Sequence, residues 1–215
     1  MHIKKAFTMI ELVFVIVVMG IIAAVALPRF DSDNAQEAMD QILSDIRYTQ
    51  HLALVDNVID PTDSNWQRAF WSIHFEHCGG ASGWFYMVGS DSNYGGDIDK
   101  IEAARDLRSG KPMFWKNTDD CSNGGDGTVS EKVFISKKFG INNITFAGGC
   151  AGGQYFGFDS FGRPHAGFTT SATPNYDSIM TNDCNMTFSF DNHSNMTIQI
   201  RKETGYASIV GQGDQ

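Results

Sequence analysis

The feature that most constrains this chain is an apolar run of 21 residues near its start. The run extends from Phe7 to Leu27 and contains a single charged residue, Glu11. A helix rises about 1.5 Å per residue, so the run would reach roughly 31 Å, the thickness of the hydrocarbon core of a bilayer. The sequence therefore predicts a helix that crosses a membrane once.

Glu11 is the residue of this run that most needs a partner. A carboxylate inside an apolar membrane segment costs about 2.5 to 3.5 kcal/mol on insertion scales and is by default functional. If the chain were cut after Ala6, the new α-amino group of Phe7 would lie one helical turn from Glu11. A neighbouring copy could present its own amine to the same carboxylate. The alternative is a signal peptide or plain signal anchor, whose apolar core has no carboxylate.

The start of the chain resembles the amino terminus of a type IV prepilin or pseudopilin. The resemblance is carried by the residues KKAFTMIELVFVIVVMGIIAAVALP, which combine a basic leader, a small residue, Phe-Thr-x-x-Glu-Leu and an unbroken apolar stretch. It implies cleavage between Ala6 and Phe7 by a prepilin peptidase, N-methylation of Phe7, and filament assembly that depends on Thr8 and Glu11. Pro28 matches the helix-bending proline of the family. Ala6 departs from it, because the family usually has glycine before the cut.

Beyond Pro28 the apolar residues become spaced by three, four and seven, which predicts an amphipathic helix that packs on a sheet and ends near Asp56 and Asn57. We divide the chain into a leader (1–6), a transmembrane or filament-core helix (7–28), an amphipathic helix (29–57) and a β-rich periplasmic body (58–215). The apolar residues that set the spacing are Ala35, Met39, Ile42, Ile46 and Ala53.

The body is rich in glycine and phenylalanine and nearly free of leucine, which favours strands and turns. The fold class predicted is α+β, with a long N-terminal helix, its first half embedded in the membrane, packed on an antiparallel β-sheet body as in pilins. A hairpin is expected across residues 191–195. The predicted strands are 69–77, 83–88, 129–139, 143–146, 154–159, 186–191, 196–201 and 206–210.

Motifs of the body resemble, in order, landmarks of the GspH/FimT-type minor pseudopilins and minor pilins. They are ILSDIRYTQHLALVDN, GWFYMVGSDSN, ITFAGG, YFGFDSFGRP and MTIQIRKETGYASIV. The resemblance implies a minor pseudopilin of a type II secretion pseudopilus that supports protein secretion. Its partners would be other pseudopilins or pilins, the prepilin peptidase and an inner-membrane assembly platform. The implied location is the bacterial inner membrane, single pass, with the body in the periplasm, and then the filament.

The four cysteines, Cys78, Cys121, Cys150 and Cys184, are widely spaced and form no Cys-x-x-Cys pair. In an oxidising compartment they predict two disulfides, for which three connectivities exist. We favour the pairing of nearest neighbours, Cys78 with Cys121 and Cys150 with Cys184.

One acidic loop nearly reproduces the twelve-residue calcium-binding loop. Gly95 stands at the fifth position, where a ligand is expected, and no flanking helices are evident. The two interpretations are a Ca²⁺ site and a solvated loop, and no cofactor is required by the second. The candidate ligands are Asp91, Asn93, Asp97, Asp99 and Glu102.

The formal charge of the whole chain is −9, and loss of Lys4 and Lys5 with the leader makes it −11. Nucleic acid is therefore an unlikely partner on electrostatic grounds. The sequence contains no nucleophile elbow or phosphate-binding glycine loop, so we do not expect an enzyme. Two other functions stay open: a minor pilin of a type IV pilus, serving assembly, adhesion or DNA uptake, and a membrane-tethered calcium-dependent binding module.

Overall fold

The computed structural model describes residues 8–79, 83–174 and 176–212, without the side chains of residues 24–33. Helix α1 spans Met9–Val55 and is therefore about 70 Å long. It begins at the N-cap Thr8 and ends at Asp56, whose backbone N–H donates to the carbonyl of Leu52 at 2.9 Å. From Ala35 onward, apolar residues three and four apart bury one face of the helix. That buried face comprises Ala35, Ala38, Met39, Ile42, Ile46, Thr49 and Ala53.

Eight strands in the described part of the chain form two antiparallel sheets of four strands each. The strands are β1 Trp71–His77, β2 Trp84–Gly89, β3 Ile141–Gly148, β4 Tyr155–Phe158, β5 Pro164–His165, β6 Cys184–Phe190, β7 Met196–Ile200 and β8 Ala207–Ile209. The first sheet has the order β2-β1-β4-β5 and the second has the order β3-β6-β7-β8. Two short 3₁₀ helices, Trp66–Ala69 and Glu131–Val133, and helix α2, Ile135–Phe139, lie in the connections.

The two sheets share one core with the second half of α1. Phe75 of β1 lies 5.9 Å from Phe146 of β3 and 6.0 Å from Phe188 of β6, measured between ring centroids. Phe75 and Phe188 are fully buried. Aromatic side chains bury the largest apolar areas, so these rings contribute strongly to holding the sheets together.

A buried polar network fixes α1 on the body. Oδ2 of Asp45 on α1 accepts a hydrogen bond from the hydroxyl of Tyr86, and Lys132 Nζ lies 2.8 Å from Oδ1 of Asp45 and 3.3 Å from Oδ1 of Asp106. Burial raises the pKa of Asp45, against the opposing effect of the Lys132 ammonium. Removal of one partner from such a buried pair is strongly destabilising, so the network sets which face of α1 meets the sheets.

The fold class and the location predicted from the sequence are wrong. The body has two antiparallel sheets, where one sheet was expected, and among the described residues no helix is both long and apolar enough to span a bilayer. The prediction of a membrane-embedded first half, and with it of a single-pass inner-membrane anchor, is therefore not supported.

Most of the local predictions are confirmed. The amphipathic helix ends where expected, seven of the eight predicted strands are present within a few residues, and the hairpin joins β6 to β7. The predicted strand 129–139 is wrong, since this segment forms the second 3₁₀ helix and α2. Gly140 adopts a left-handed φ of 69° and donates its N–H to Ser136, which closes the helix, and Lys137 and Lys138 lie in the favourable last turn.

Both disulfides have the predicted nearest-neighbour pairing, Cys78–Cys121 and Cys150–Cys184. They enclose sequence separations of 43 and 34 residues. On the chain-entropy model, loops of this size give a stabilisation of about 4 kcal/mol each. The bridges thus constrain the long connections after β1 and between β3 and β6.

A buried aspartate organises the turn between β4 and β5. Oδ1 of Asp159 accepts the backbone N–H groups of Phe161 and Arg163, both at 2.9 Å. Its Oδ2 accepts from Nε of Arg163 at 2.7 Å and lies 3.3 Å from Nε2 of His165. Burial by itself would raise the pKa of Asp159, but the hydrogen bonds from His165 and Arg163 outweigh burial and lower the pKa to about 2.

We expect Asp159→Asn to lower the free energy of unfolding at pH 7 by about 2 kcal/mol. A carboxylate whose pKa is depressed in the folded state stabilises the fold above its unfolded pKa of 3.8, and this stabilisation is lost as the pH falls through about 2. Urea unfolding at pH 7, 4 and 2.5 measures the effect. The wild-type chain should lose stability between pH 4 and 2.5 more steeply than the variant.

Asp126→Asn is the matched control, because Asp126 is exposed, so solvent weakens its hydrogen bonds with Thr128 and its ion pair with Lys100 at 4.0 Å. Its pH dependence should stay close to that of the wild type. Equal pH slopes for the wild type and Asp159→Asn would contradict the role given to Asp159.

Candidate functional site

The first part of α1 is apolar and uncovered. We define the apolar segment as residues 9–22 of α1. Eleven of its large apolar side chains are 45% to 88% exposed, with Phe14 at 69% and Ile10 at 79%, and Val18 is partly buried. The exposed side chains are Met9, Ile10, Leu12, Val13, Phe14, Val15, Ile16, Val17, Met19, Ile21 and Ile22.

The exposure has no preferred face. The consecutive residues 12–17 are all apolar and all exposed. Because successive helical residues point about 100° apart, six of them cover every side of the helix. The apolar segment therefore differs from residues 35–53, where one face is buried and the other is polar.

An uncovered surface of this size indicates a partner. Burial of a large apolar side chain is worth about 1.5 to 3 kcal/mol, and contiguous apolar patches beyond a few hundred Å² mark interaction sites. A helix that is apolar all round is normally buried on all sides. A binding partner that covered a single face would leave the other faces exposed, so the apolar segment suits an environment that surrounds it.

Thr8 and Glu11 form a capping box at the start of the segment. The Glu11 N–H donates to Oγ1 of Thr8 at 3.3 Å. In return, the Thr8 N–H and hydroxyl donate to Oε2 of Glu11 at 3.2 and 3.1 Å. These bonds satisfy backbone donors that have no partner within the helix, so both side chains stabilise its first turn.

Sequence reasoning assigned Thr8 and Glu11 to assembly and missed this local role. The signal was present, because Thr-x-x-Glu before an apolar run is the capping-box pattern. Within the described residues Oε1 of Glu11 accepts no hydrogen bond, so this oxygen is available to an amine. The predicted cleavage residues Ala6 and Phe7 lie outside the described residues. The helical backbone continues through Pro28, whose side chain is also outside them.

The predicted calcium ligands are used within their own loop. Asp91 accepts the N–H groups of Gly95 and Gly96 at 2.9 and 2.8 Å. Glu102 accepts the N–H groups of Asn93 and Asp99 at 2.9 and 3.0 Å, and Asp97 makes none of these bonds. In the described part of the chain no group of three or more His, Cys, Asp or Glu side chains is placed to hold a metal ion.

Comparison of the chain with protein-family models, with curated proteins and with solved structures finds no match. Inference of function therefore rests on residues 4–28 and on the geometry of α1.

We expect Thr8→Ala to lower the stability of the first turn of α1 by about 1 kcal/mol, because the substitution removes the capping hydroxyl. Hydrogen exchange at the amides of Glu11 and Leu12 measures this, and a loss of that size makes exchange roughly fivefold faster. Thr8→Ser keeps the hydroxyl and should retain the protection. Unchanged exchange in Thr8→Ala would show that the capping box does not stabilise this turn in solution.

Proposed function

We propose that this chain is a minor pseudopilin, a structural subunit of a type II secretion pseudopilus that assembles through the apolar segment of α1. The observation that carries the proposal is the apolar surface on all sides of residues 12–17. In a helical filament each subunit's helix is enclosed by the helices of its neighbours. Such an environment covers every face of the segment, which a binary complex does not.

The resemblance of residues 4–28 to prepilins gives the remaining parts of the proposal. A prepilin peptidase cleaves between Ala6 and Phe7, and the amine of Phe7 is methylated. The partners are other pseudopilins, whose amines pair with the Glu11 carboxylate. Because Thr8 occupies Oε2 of Glu11 in the capping box, the incoming amine binds at Oε1. The pairing sets the axial register of each subunit, since a charged group in an apolar environment is stable only beside its partner.

The body folds independently of the apolar segment, as a filament subunit requires. It has its own core, two disulfides and the polar network that docks α1, so it does not depend on the apolar segment for its fold. The proposed function is structural, and it requires neither catalysis nor a cofactor.

The test is incorporation of Glu11→Ala and Glu11→Gln into filaments in cells that lack the native copy. Both variants remove the charge, and Glu11→Gln keeps an acceptor for the capping box. We expect both to be absent from the sheared filament fraction and to fail to restore secretion of exoproteins. Mass spectrometry of the incorporated wild type should give a chain that begins at methylated Phe7.

Glu37→Ala is the matched control, because Glu37 is an exposed carboxylate on the same helix, paired with Lys138 at the surface. It should assemble as the wild type does. Normal assembly of both Glu11 variants would contradict the proposal, as would a mature chain that retains residues 1–6. Loss of twitching or of surface pili, with secretion intact, would instead indicate a minor pilin of a type IV pilus.

A further inference from the structure

A small apolar cavity lies at the C-terminal end of α1, away from the apolar segment. Its volume is about 220 Å³. We call it the pole slot; its apolar lining comprises Ile59, Trp66, Phe70, Phe161, Pro174 and Tyr176, and four polar side chains, among them Asp159 and Arg163, complete it. Small-molecule sites are typically about 300 to 1,000 Å³, so the pole slot has room for one large side chain.

Two aromatic side chains that line the pole slot are exposed. Phe161 is 72% exposed and Tyr176 is 78% exposed. Phe161 belongs to the turn that Asp159 organises, and the guanidinium of Arg163 lies 5.3 Å from the centre of its ring. The main chain around Phe161 is therefore fixed before any partner arrives, which reduces the entropy lost on binding.

The apolar surface continues from the pole slot onto the last turn of α1. Leu54 and Val55 are 52% and 66% exposed. Nε2 of Gln50, one helical turn before Leu54, donates to the carbonyl of Gly162 beside Phe161 at 2.8 Å, so the turn and the end of α1 are in contact. Tryptophan, tyrosine and arginine, which occur together here, are the residues most enriched at interface hot spots.

Aspartates outnumber arginines in the surroundings of the pole slot, where Arg163 and Arg68 are the arginines within three positions of a lining residue. The positive charge of Arg163 is compensated by Asp159, at 2.7 Å. Asp60 and Asp63 follow Ile59 in the chain, and hydrogen bonds from Thr62 and from Asn65, respectively, lower the pKa of each. Asp177 follows Tyr176 and is also exposed. Two copies meeting through this surface would bring like charges together, so a partner with basic residues is favoured.

We propose that the pole slot binds a segment of another protein that presents one large apolar or aromatic side chain flanked by lysine or arginine. The apolar side chain fills the cavity between Trp66, Phe161 and Tyr176. The flanking cations lie against the acidic rim. This interaction goes beyond filament assembly and does not depend on it, because it uses the opposite end of α1.

The test is titration of the full-length chain, labelled with ¹⁵N, with short peptides followed by NMR. The probe has a central Phe with two Lys on each side, and the matched probes replace the Phe by Ala or the four Lys by Glu. We expect the Phe probe to shift the amides of Phe161 and Tyr176 and the indole of Trp66. The Ala and Glu probes should bind at least tenfold more weakly, and binding of the Phe probe should weaken from 50 to 300 mM salt.

Variants of the chain complete the test. Tyr176→Ala and Phe161→Ala should each weaken binding of the Phe probe at least tenfold without lowering the midpoint of unfolding, because both side chains are exposed. Leu107→Ala is the control, since Leu107 is 82% exposed and does not line the pole slot. The proposal is overturned if the Ala probe binds equally well or if the shifts map elsewhere. Self-association abolished by Phe161→Ala would also overturn it, because the occupant would then be a second copy.

Discussion

Helix α1 carries two different surfaces along one continuous axis, and the rest of the structure depends on that change. Residues 35–53 present one apolar face to the two sheets, while residues 12–17 are apolar and exposed in every direction. The two sheets bury one face of a helix but cannot enclose a helix on all sides. The chain therefore folds into a stable body with a helix whose first part reaches a low free energy only among apolar neighbours.

The body is built to carry that helix in a fixed orientation. The Asp45–Lys132–Asp106 network and the hydroxyl of Tyr86 join α1 to the first sheet and to the connection before α2. Phe75 links the two sheets, and the disulfides restrain the long connections. These contacts fix residues 35–53 of α1 relative to the two sheets.

Local features of this architecture could be predicted from the sequence, and non-local features could not. The spacing of Met39, Ile42 and Ile46 identified the amphipathic half of α1, and alternation identified the β6–β7 hairpin. The division into two sheets is decided by pairing between distant strands, as in β3 with β6, which periodicity does not encode. The membrane prediction came from the apolar run of residues 7–27, but among the described residues no helix is long and apolar enough to cross a membrane.

The candidate sites show the same division. The Thr8–Glu11 capping box could be predicted from the Thr-x-x-Glu spacing, although both residues were assigned only a role in assembly. The acidic loop matched a calcium pattern in order, but its carboxylates accept backbone N–H groups of their own loop. The pole slot combines residues from four separate parts of the chain, so it could not be predicted from the sequence.

The most direct measurement is cysteine accessibility along the apolar segment. Residues 12–17 are replaced by cysteine one at a time, and reaction with a maleimide is compared between the isolated chain and sheared, lipid-free filaments. The described native cysteines are all in disulfides and do not react. If the filament encloses residues 12–17 on all sides, all six positions react in the isolated chain and all six are protected in the filament. Protection that recurs every three to four residues would show that the segment is covered on one face only and would contradict the account.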